Sequence, residues 1–247
     1  MTSASVAHTL PRRGPDPDAR DRLAALAPRI DTGSLAAERV VAVHPALATV
    51  LPQGLPRGAT VRTSGRAALS GALLLAAGAS QAGAWTGVAG VPELGVQAAA
   101  EAGLALERVV AVRDRAGAAF SDDTWGQVLG ALLDGFDTVV FGAATRVRAG
   151  TARRVQSRLA HRGAVLLIVG AAGAFSCDVE VDTRSTWEGL GDGHGHLRAR
   201  RVDVSVAGRR IRRPRQDSLW FPDAEGAVRR VEDGSANVTP LTWRQTG

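Results

Sequence analysis

The residues best placed to do chemistry in this 247-residue chain lie between Leu51 and Ala82. There the turn Gly54-Leu55-Pro56-Arg57-Gly58 leads into a short apolar stretch. Gly65-Arg66-Ala67-Ala68-Leu69-Ser70-Gly71-Ala72 then opens an uncharged segment. A glycine-rich loop between a strand and a helix is a cradle for a nucleoside triphosphate. Its N–H groups surround the phosphates, a Lys after the second glycine neutralises the β and γ groups, and the next hydroxyl holds Mg²⁺. Counted from Gly65, the Lys place holds Gly71 and the hydroxyl place holds Ala72, with Ser70 where the second glycine belongs. Shifting by one makes Gly71 the second glycine but puts Ala72 and Leu73 in the two chemical places. No other register helps, because all 30 basic residues are Arg and the chain has no Lys. Arg66 stands too early in the loop to reach the β and γ phosphates.

Other reactive residues are scattered. His194 and His196, two apart in Gly191-Asp192-Gly193-His194-Gly195-His196, would share a strand face, but zinc needs further ligands and only Asp192 is near. A glycine-rich turn between two strands accounts for that run, so no metal is expected. Cys177 has no motif that brings a base to it, as nucleophilic catalysis requires, and reads as a structural thiol. Ser70 lies in no Gly-x-Ser-x-Gly elbow. A single Cys also excludes an intramolecular disulfide and a Cys-x-x-Cys site.

The elements that must position these residues are legible from apolar runs and their stops. Strands are predicted at 59–63, 84–88, 108–112, 137–141 and 164–169, alternating with helices at 67–82, 92–102, 123–133 and 151–161. Asp122 or Asp123 is the expected cap of the third helix, with Gly135 and Gly163 at helix ends. Almost wholly apolar strands, each followed by a helix, indicate a parallel sheet covered on both faces. After Gly170 the alternation stops, and strands at 179–183, 196–206 and 217–221 would extend the sheet in antiparallel fashion. The uncharged run 67–92 is long enough to span a bilayer. Its Ala, Gly and Ser content and the breaks at Gly83 and Gly87 make it a buried helix and strand instead, so no membrane contact is expected. Residues 1–35 read as a tail with a short helix bearing Leu23, Leu26 and Ile30, residues 36–225 as the domain, and 226–247 as a flexible tail. With no secretory leader in Met1–Leu10, a cytoplasmic location is expected.

The order glycine-leucine-proline-arginine-glycine turn, strand, Gly-initiated loop and helix resembles the entrance to the nucleotide site of RecA-family recombinases. In element order the resemblance runs from about Val40 to Phe221. It implies a RecA-like, doubly wound α/β fold with a mostly parallel sheet. It also implies where an ATPase would keep its remaining groups. The Mg²⁺-orienting Asp would end the strand Phe136-Asp137-Thr138-Val139-Val140-Phe141, where the chain has Gly142; Asp137 sits at the other end of that strand. The water-activating Glu would fall near Val91, two residues before Glu93, and a γ-phosphate-sensing Gln near Gly170. One lost contact of this kind removes about 2.7–4 kcal/mol of transition-state stabilisation. A degenerate site without cofactor or turnover is therefore expected.

A RecA-like scaffold stripped of these groups, Lys-free and Arg-rich, resembles the ImuA-type accessory proteins of actinobacterial mutagenesis cassettes. That resemblance implies no catalysis. It implies a role in damage-induced translesion synthesis through an ImuB-like homologue of Y-family polymerases, and through it or directly an error-prone replicative-type polymerase. Direct DNA contact is left open. A net charge of +6 is consistent with a polyanionic partner. Nine Arg against three acids lie between Arg184 and Arg215. Among them Arg198, Arg200, Arg201, Arg209, Arg210, Arg212, Arg213 and Arg215 would form one DNA-binding patch if placed on neighbouring strand ends; otherwise they make a solvated sheet edge. Arg146, Arg148, Arg153, Arg154 and Arg158 could add a second basic face. Trp220 and Phe221 are either core or a partner anchor. The alternative is a SulA-like division inhibitor, which would bind the tubulin-like division protein and need no DNA affinity.

Overall fold

The computed structural model describes residues 40–114, 118–191 and 194–231. The predicted N-terminal helix with Leu23, Leu26 and Ile30 lies outside the described residues. A two-stranded ribbon, β1 (Val40–Val41) against β2 (Leu55–Pro56), precedes a nine-stranded sheet. The sheet contains β3 (Thr60–Gly65), β4 (Thr86–Ala89), β5 (Val109–Val112), β6 (Thr138–Phe141), β7 (Val165–Val169), β8 (Val179–Gly191), β9 (His194–Ala207), β10 (Arg215–Trp220) and β11 (Arg229–Arg230). Their spatial order is β11-β10-β9-β8-β3-β7-β6-β4-β5. Pairings from β8 to β5 are parallel, whereas β8–β9, β9–β10 and β10–β11 are antiparallel. From β3 the chain runs outward to β4 and β5, returns inward through β6 and β7, and crosses to β8 on the other side of β3. The connections leaving the neighbours β3 and β7 therefore head in opposite directions and mark a switch point between them. In open α/β sheets such a switch point opens a crevice at the carboxyl ends of the strands.

Among the described residues, four α-helices cover the sheet: α1 (Ala68–Gln81), α2 (Val96–Glu101), α3 (Asp122–Gly135) and α4 (Ala149–Arg162). The period-2 alternation of the strands divides the core between them. Val140 and Leu167 face α1 and α2, together with Val61, Val181, Val202, Val204 and Leu219. Val139, Phe141, Leu166 and Ile168 face α3 and α4 and join Trp125, Leu129, Val155 and Leu159. On that side Phe120, Trp125, Phe141 and Phe175 form a chain of edge-on rings with centroids 5.0–6.1 Å apart. α1 is buried nearly all round, which explains why its sequence is uncharged and suggested a membrane span. No helix among the described residues is long and apolar enough to cross a membrane.

Several expectations are corrected. α2 begins four residues later than predicted. The cap of α3 is Ser121, whose hydroxyl accepts from the Thr124 amide at 3.2 Å. Asp122 instead lies in the first turn and accepts from the Arg148 amide (2.7 Å) and the Thr151 hydroxyl (2.8 Å), tying α3 to the start of α4. β8 runs eight residues beyond the predicted end. The boundary at 225 also moves: Arg229–Arg230 pair with β10, Val228 packs on the core, and the Val231 amide donates to Ser218 O. The C-terminal part is thus built into the sheet through Val231.

Because Ser121 satisfies an otherwise orphaned amide, Ser121→Ala should lower stability by about 1 kcal/mol. Ser121→Asp, which keeps the acceptor, should not. Urea unfolding followed by Trp fluorescence measures both.

Candidate functional site

The carboxyl ends of β3, β7, β6 and β4 line one edge of the sheet, and they are followed by Gly65 (the last residue of β3 itself), Gly170, Gly142 and Gly90. β3 stays paired as far as Gly65↔Thr183, and α1 starts at Ala68, leaving only Arg66 and Ala67 between strand and helix. Gly65 has φ +88°, and a Cβ there would collide with the Thr183 carbonyl oxygen, so only glycine fits. The same carbonyl accepts the Arg66 amide at 3.2 Å, and Thr183 Oγ1 accepts the Ala67 amide at 3.2 Å while donating to Ser64 O at 2.6 Å. A phosphate cradle works by turning successive N–H groups toward its ligand. Here two of them turn onto Thr183.

The next motif positions lie inside the helix. Ser70 accepts a 2.9 Å hydrogen bond from Arg200 Nη2. Gly71 is buried, and an added Cβ would sit 3.2 Å from Thr183 Cγ2. Ala72 is fully buried. Gly142 is tighter still. Its amide donates to Ala89 O at 3.0 Å, and a Cβ would come 2.5 Å from Gly90 O and 3.0 Å from Val91 Cγ2. A carboxylate at 142 would have to push the ends of β4 and β6 apart. Gly170, by contrast, has open space around it at φ +83°. Asp137 is at the amino edge, as expected, bonded to Arg57 Nη1 at 2.9 Å; Arg57 also reaches Gly163 O. The Gly-Leu-Pro-Arg-Gly turn thus latches the far edge of the sheet.

The Arg cluster is not one surface. β9 runs antiparallel to β8, so Arg198, Arg200 and Arg201 lie toward the carboxyl edge, while Arg209, Arg210, Arg212, Arg213 and Arg215 gather at the amino edge. Seven residues of strand separate Arg200 from Ala207, about 23 Å at the usual rise. Several of these groups are already engaged. Arg209 and Arg210 meet buried Asp178 at 3.0 and 3.6 Å, and Arg215 donates to Thr49 O. Arg201 pairs with Asp203 and Ser218. Arg200 is half-buried, its guanidinium 5.4 Å from the Trp187 ring centroid and 5.1 Å from that of Phe221, with Nε donating to Phe221 O at 2.6 Å. Burial pulls its pKa below the ordinary value. Arg212 and Arg213 are exposed and make no ion pair among the described residues. Of the two aromatic anchor candidates, Phe221 belongs to the core and Trp220 is half-buried.

On the second basic face, acids meet the cations. Arg146 pairs with Asp114, and Arg158 and Arg162 both grip Asp134; Arg154 bonds Thr151, and Arg153 is exposed. Burial raises the Asp134 pKa, but hydrogen bonds from Arg158 and the two guanidinium charges outweigh it and hold the carboxyl below its ordinary value. Cys177 is half-buried, and burial, reinforced by Glu180, pushes its thiol up. No His, Cys, Asp and Glu group among the described residues could hold a metal, and Asp192 lies outside them. Sequence reasoning missed Trp187, which is 46% exposed on the projecting end of β8.

Residues 49–174, just over half of the chain, match the family described as the MT3502 N-terminal domain, and the chain belongs to that family. No curated protein matches. Among solved structures, the chain is similar to the RadB recombinase at 14% identity and a TM-score of 0.53, covering 76% of this chain and 98% of that one. The fold is RecA-like.

Two outcomes follow. Gly142→Asp should overpack the β4–β6 junction and lower stability by about 1–3 kcal/mol, read by chemical denaturation, without Mg²⁺-dependent nucleotide stabilisation. The depressed Asp134 pKa adds stability that is complete above the ordinary aspartate value of 3.8 and fades as pH falls through the lower folded value. Asp134→Asn should therefore flatten the acid limb of a stability–pH curve below about pH 4 and make the protein less stable at neutral pH.

Proposed function

We propose that the chain is a non-catalytic RecA-like accessory protein of the ImuA type, serving damage-induced translesion synthesis by binding rather than by ATP turnover. The observation that carries this reading is the packing at the carboxyl edge. The two positions that would supply the amine and the Mg²⁺ carboxylate are Gly71 and Gly142; a Cβ at 142 would collide with Gly90 O at 2.5 Å, and one at 71 would press on Thr183 Cγ2 at 3.2 Å. With no Lys in the chain, nothing replaces the amine. A triphosphate placed there would lack an amine at its β and γ groups and would find the Arg66 and Ala67 amides already bonded.

What remains is a scaffold that presents surfaces. In this reading its partner is the ImuB-like, Y-family polymerase homologue of the same cassette, with the error-prone replicative-type polymerase recruited through that partner or directly. DNA is a second ligand of the exposed arginines. The work is done in the cytoplasm, at the nucleoid during repair.

Titration of the full chain with a fluorescent ATP analogue and Mg²⁺ should give no saturable binding, and the polymerase-like protein should co-purify with the tagged chain. Tight Mg-ATP binding would overturn the non-catalytic reading. Failure to retain the polymerase-like protein, with retention of the tubulin-like division protein instead, would favour the division-inhibitor alternative.

A further inference from the structure

The β8–β9 ribbon extends past the body of the sheet. β3 leaves β8 after Thr183, and β10 leaves β9 after Arg201. Beyond those points each strand has one outer edge with no strand beside it among the described residues, apart from the bonds that Arg200 makes to Phe221 and Pro222. Two of the few exposed large apolar side chains among the described residues, Trp187 (46%) and Leu197 (48%), lie on this short ribbon.

Trp187 is held from behind. It pairs across the ribbon with Arg200, whose guanidinium is wedged between the Trp187 and Phe221 rings and bonded to Phe221 O and Ser70 Oγ. An aromatic ring fixed in this way loses little freedom when something covers it, which is the character of an interface anchor. Around it the charge is one-sided. Arg66, Arg184 and Arg198 are exposed and make no ion pair among the described residues, and Glu188 is the sole acid in the described ribbon 184–191 and 194–200.

We infer that the β8–β9 ribbon docks an extended, acidic segment of a partner protein, which pairs along the outer edge of β8 and covers Trp187 with an apolar side chain. The inference rests on the binding-protein reading above and assigns its surface. Strand addition supplies main-chain hydrogen bonds, and alternate side chains supply selectivity. Acidic residues of the segment meet Arg66, Arg184 and Arg198, which sets the approach and the salt dependence. A peptide fits better than a nucleic acid. Phosphates need a continuous row of cations, whereas this ribbon interrupts its arginines with Glu188 and exposed Leu197, and the larger Arg group sits at the opposite edge of the sheet.

The test uses the full chain and the polymerase-like protein of its cassette in biolayer interferometry at low and moderate salt, with a fluorescent oligo-dT strand as a parallel probe. Trp187→Ala should weaken polymerase binding tenfold or more, and Trp187→Phe should restore most of it. Arg184→Glu with Arg198→Glu should weaken binding more at low salt than at moderate salt. Arg212→Glu with Arg213→Glu, at the far edge, should leave it unchanged, and all variants should keep the wild-type melting temperature. Wild-type affinity in both the Trp187→Ala and the Arg184/Arg198 variants would overturn the ribbon assignment and leave the partner reading standing. No binding by the wild type would overturn the partner reading and the assignment with it. Loss of oligo-dT binding by Trp187→Ala with polymerase binding intact would assign the ribbon to nucleic acid and overturn the inference.

Discussion

The junction between Gly65 and Thr183 governs the rest of the molecule. The carbonyl of Thr183 occupies the space that any Cβ at position 65 would need and accepts the amide of Arg66, while the Thr183 hydroxyl holds the Ala67 amide and the Ser64 carbonyl. Ser64, Arg66 and Ala67, on either side of Gly65, are thereby bonded to Thr183 of β8. One consequence is local: the turn is short and its amides are satisfied without a ligand, as buried backbone groups must be. The other is architectural. β8 is locked beside β3 in parallel register, and everything antiparallel that follows, from β9 to β11, is hung on that bond.

Two glycine-mediated contacts at the same edge act alike. Gly142 donates to Ala89 O and lies so close to Gly90 O that β4 and β6 are drawn together at their ends. Gly90, at φ +64°, sits under Trp125 and Ala143, so the contact is backed by the aromatic chain on the other face. Here the ends of β4 and β6 close on each other, so a side chain at 142 would have to part them.

The parallel core was legible because β4, β6 and β7 are short apolar runs stopped by glycine, and α3 and α4 carry an apolar stripe at helical spacing. Gly163 ends α4 in the left-handed conformation, as its position implied. Glycine at 71 and 142 could be read as absent chemistry, but neither those positions nor Gly65 could be read as close packing, because the opposing atoms come from Thr183, Gly90 and Val91, far away in sequence. The cap of α3 was misassigned because three polar residues in a row, Ser121, Asp122 and Asp123, all suit a cap, and only the tertiary bond from Asp122 to Arg148 and Thr151 separates them. The far half of β8 was invisible for a different reason. Residues 184–189 bury almost nothing and therefore carry no alternation, although an isolated Trp in a polar run was a signal available to be read.

Charge distribution makes the final point about composition. An Arg-rich, Lys-free chain of net charge +6 invites a single electrostatic explanation, yet the folded arginines do four separate jobs. Arg57 latches the amino edge to Asp137, Arg158 and Arg162 share Asp134, Arg209 and Arg210 satisfy buried Asp178, and Arg200 is a packing element between two rings. Guanidinium suits all of these, since its planar fork can bond and stack at once where an ammonium could not. Like Arg153 on α4, Arg66, Arg184 and Arg198 at one edge and Arg212 and Arg213 at the other are exposed and make no ion pair among the described residues. Because β9 separates these groups by most of its length, they address two different surfaces, and a partner that reads one need not touch the other.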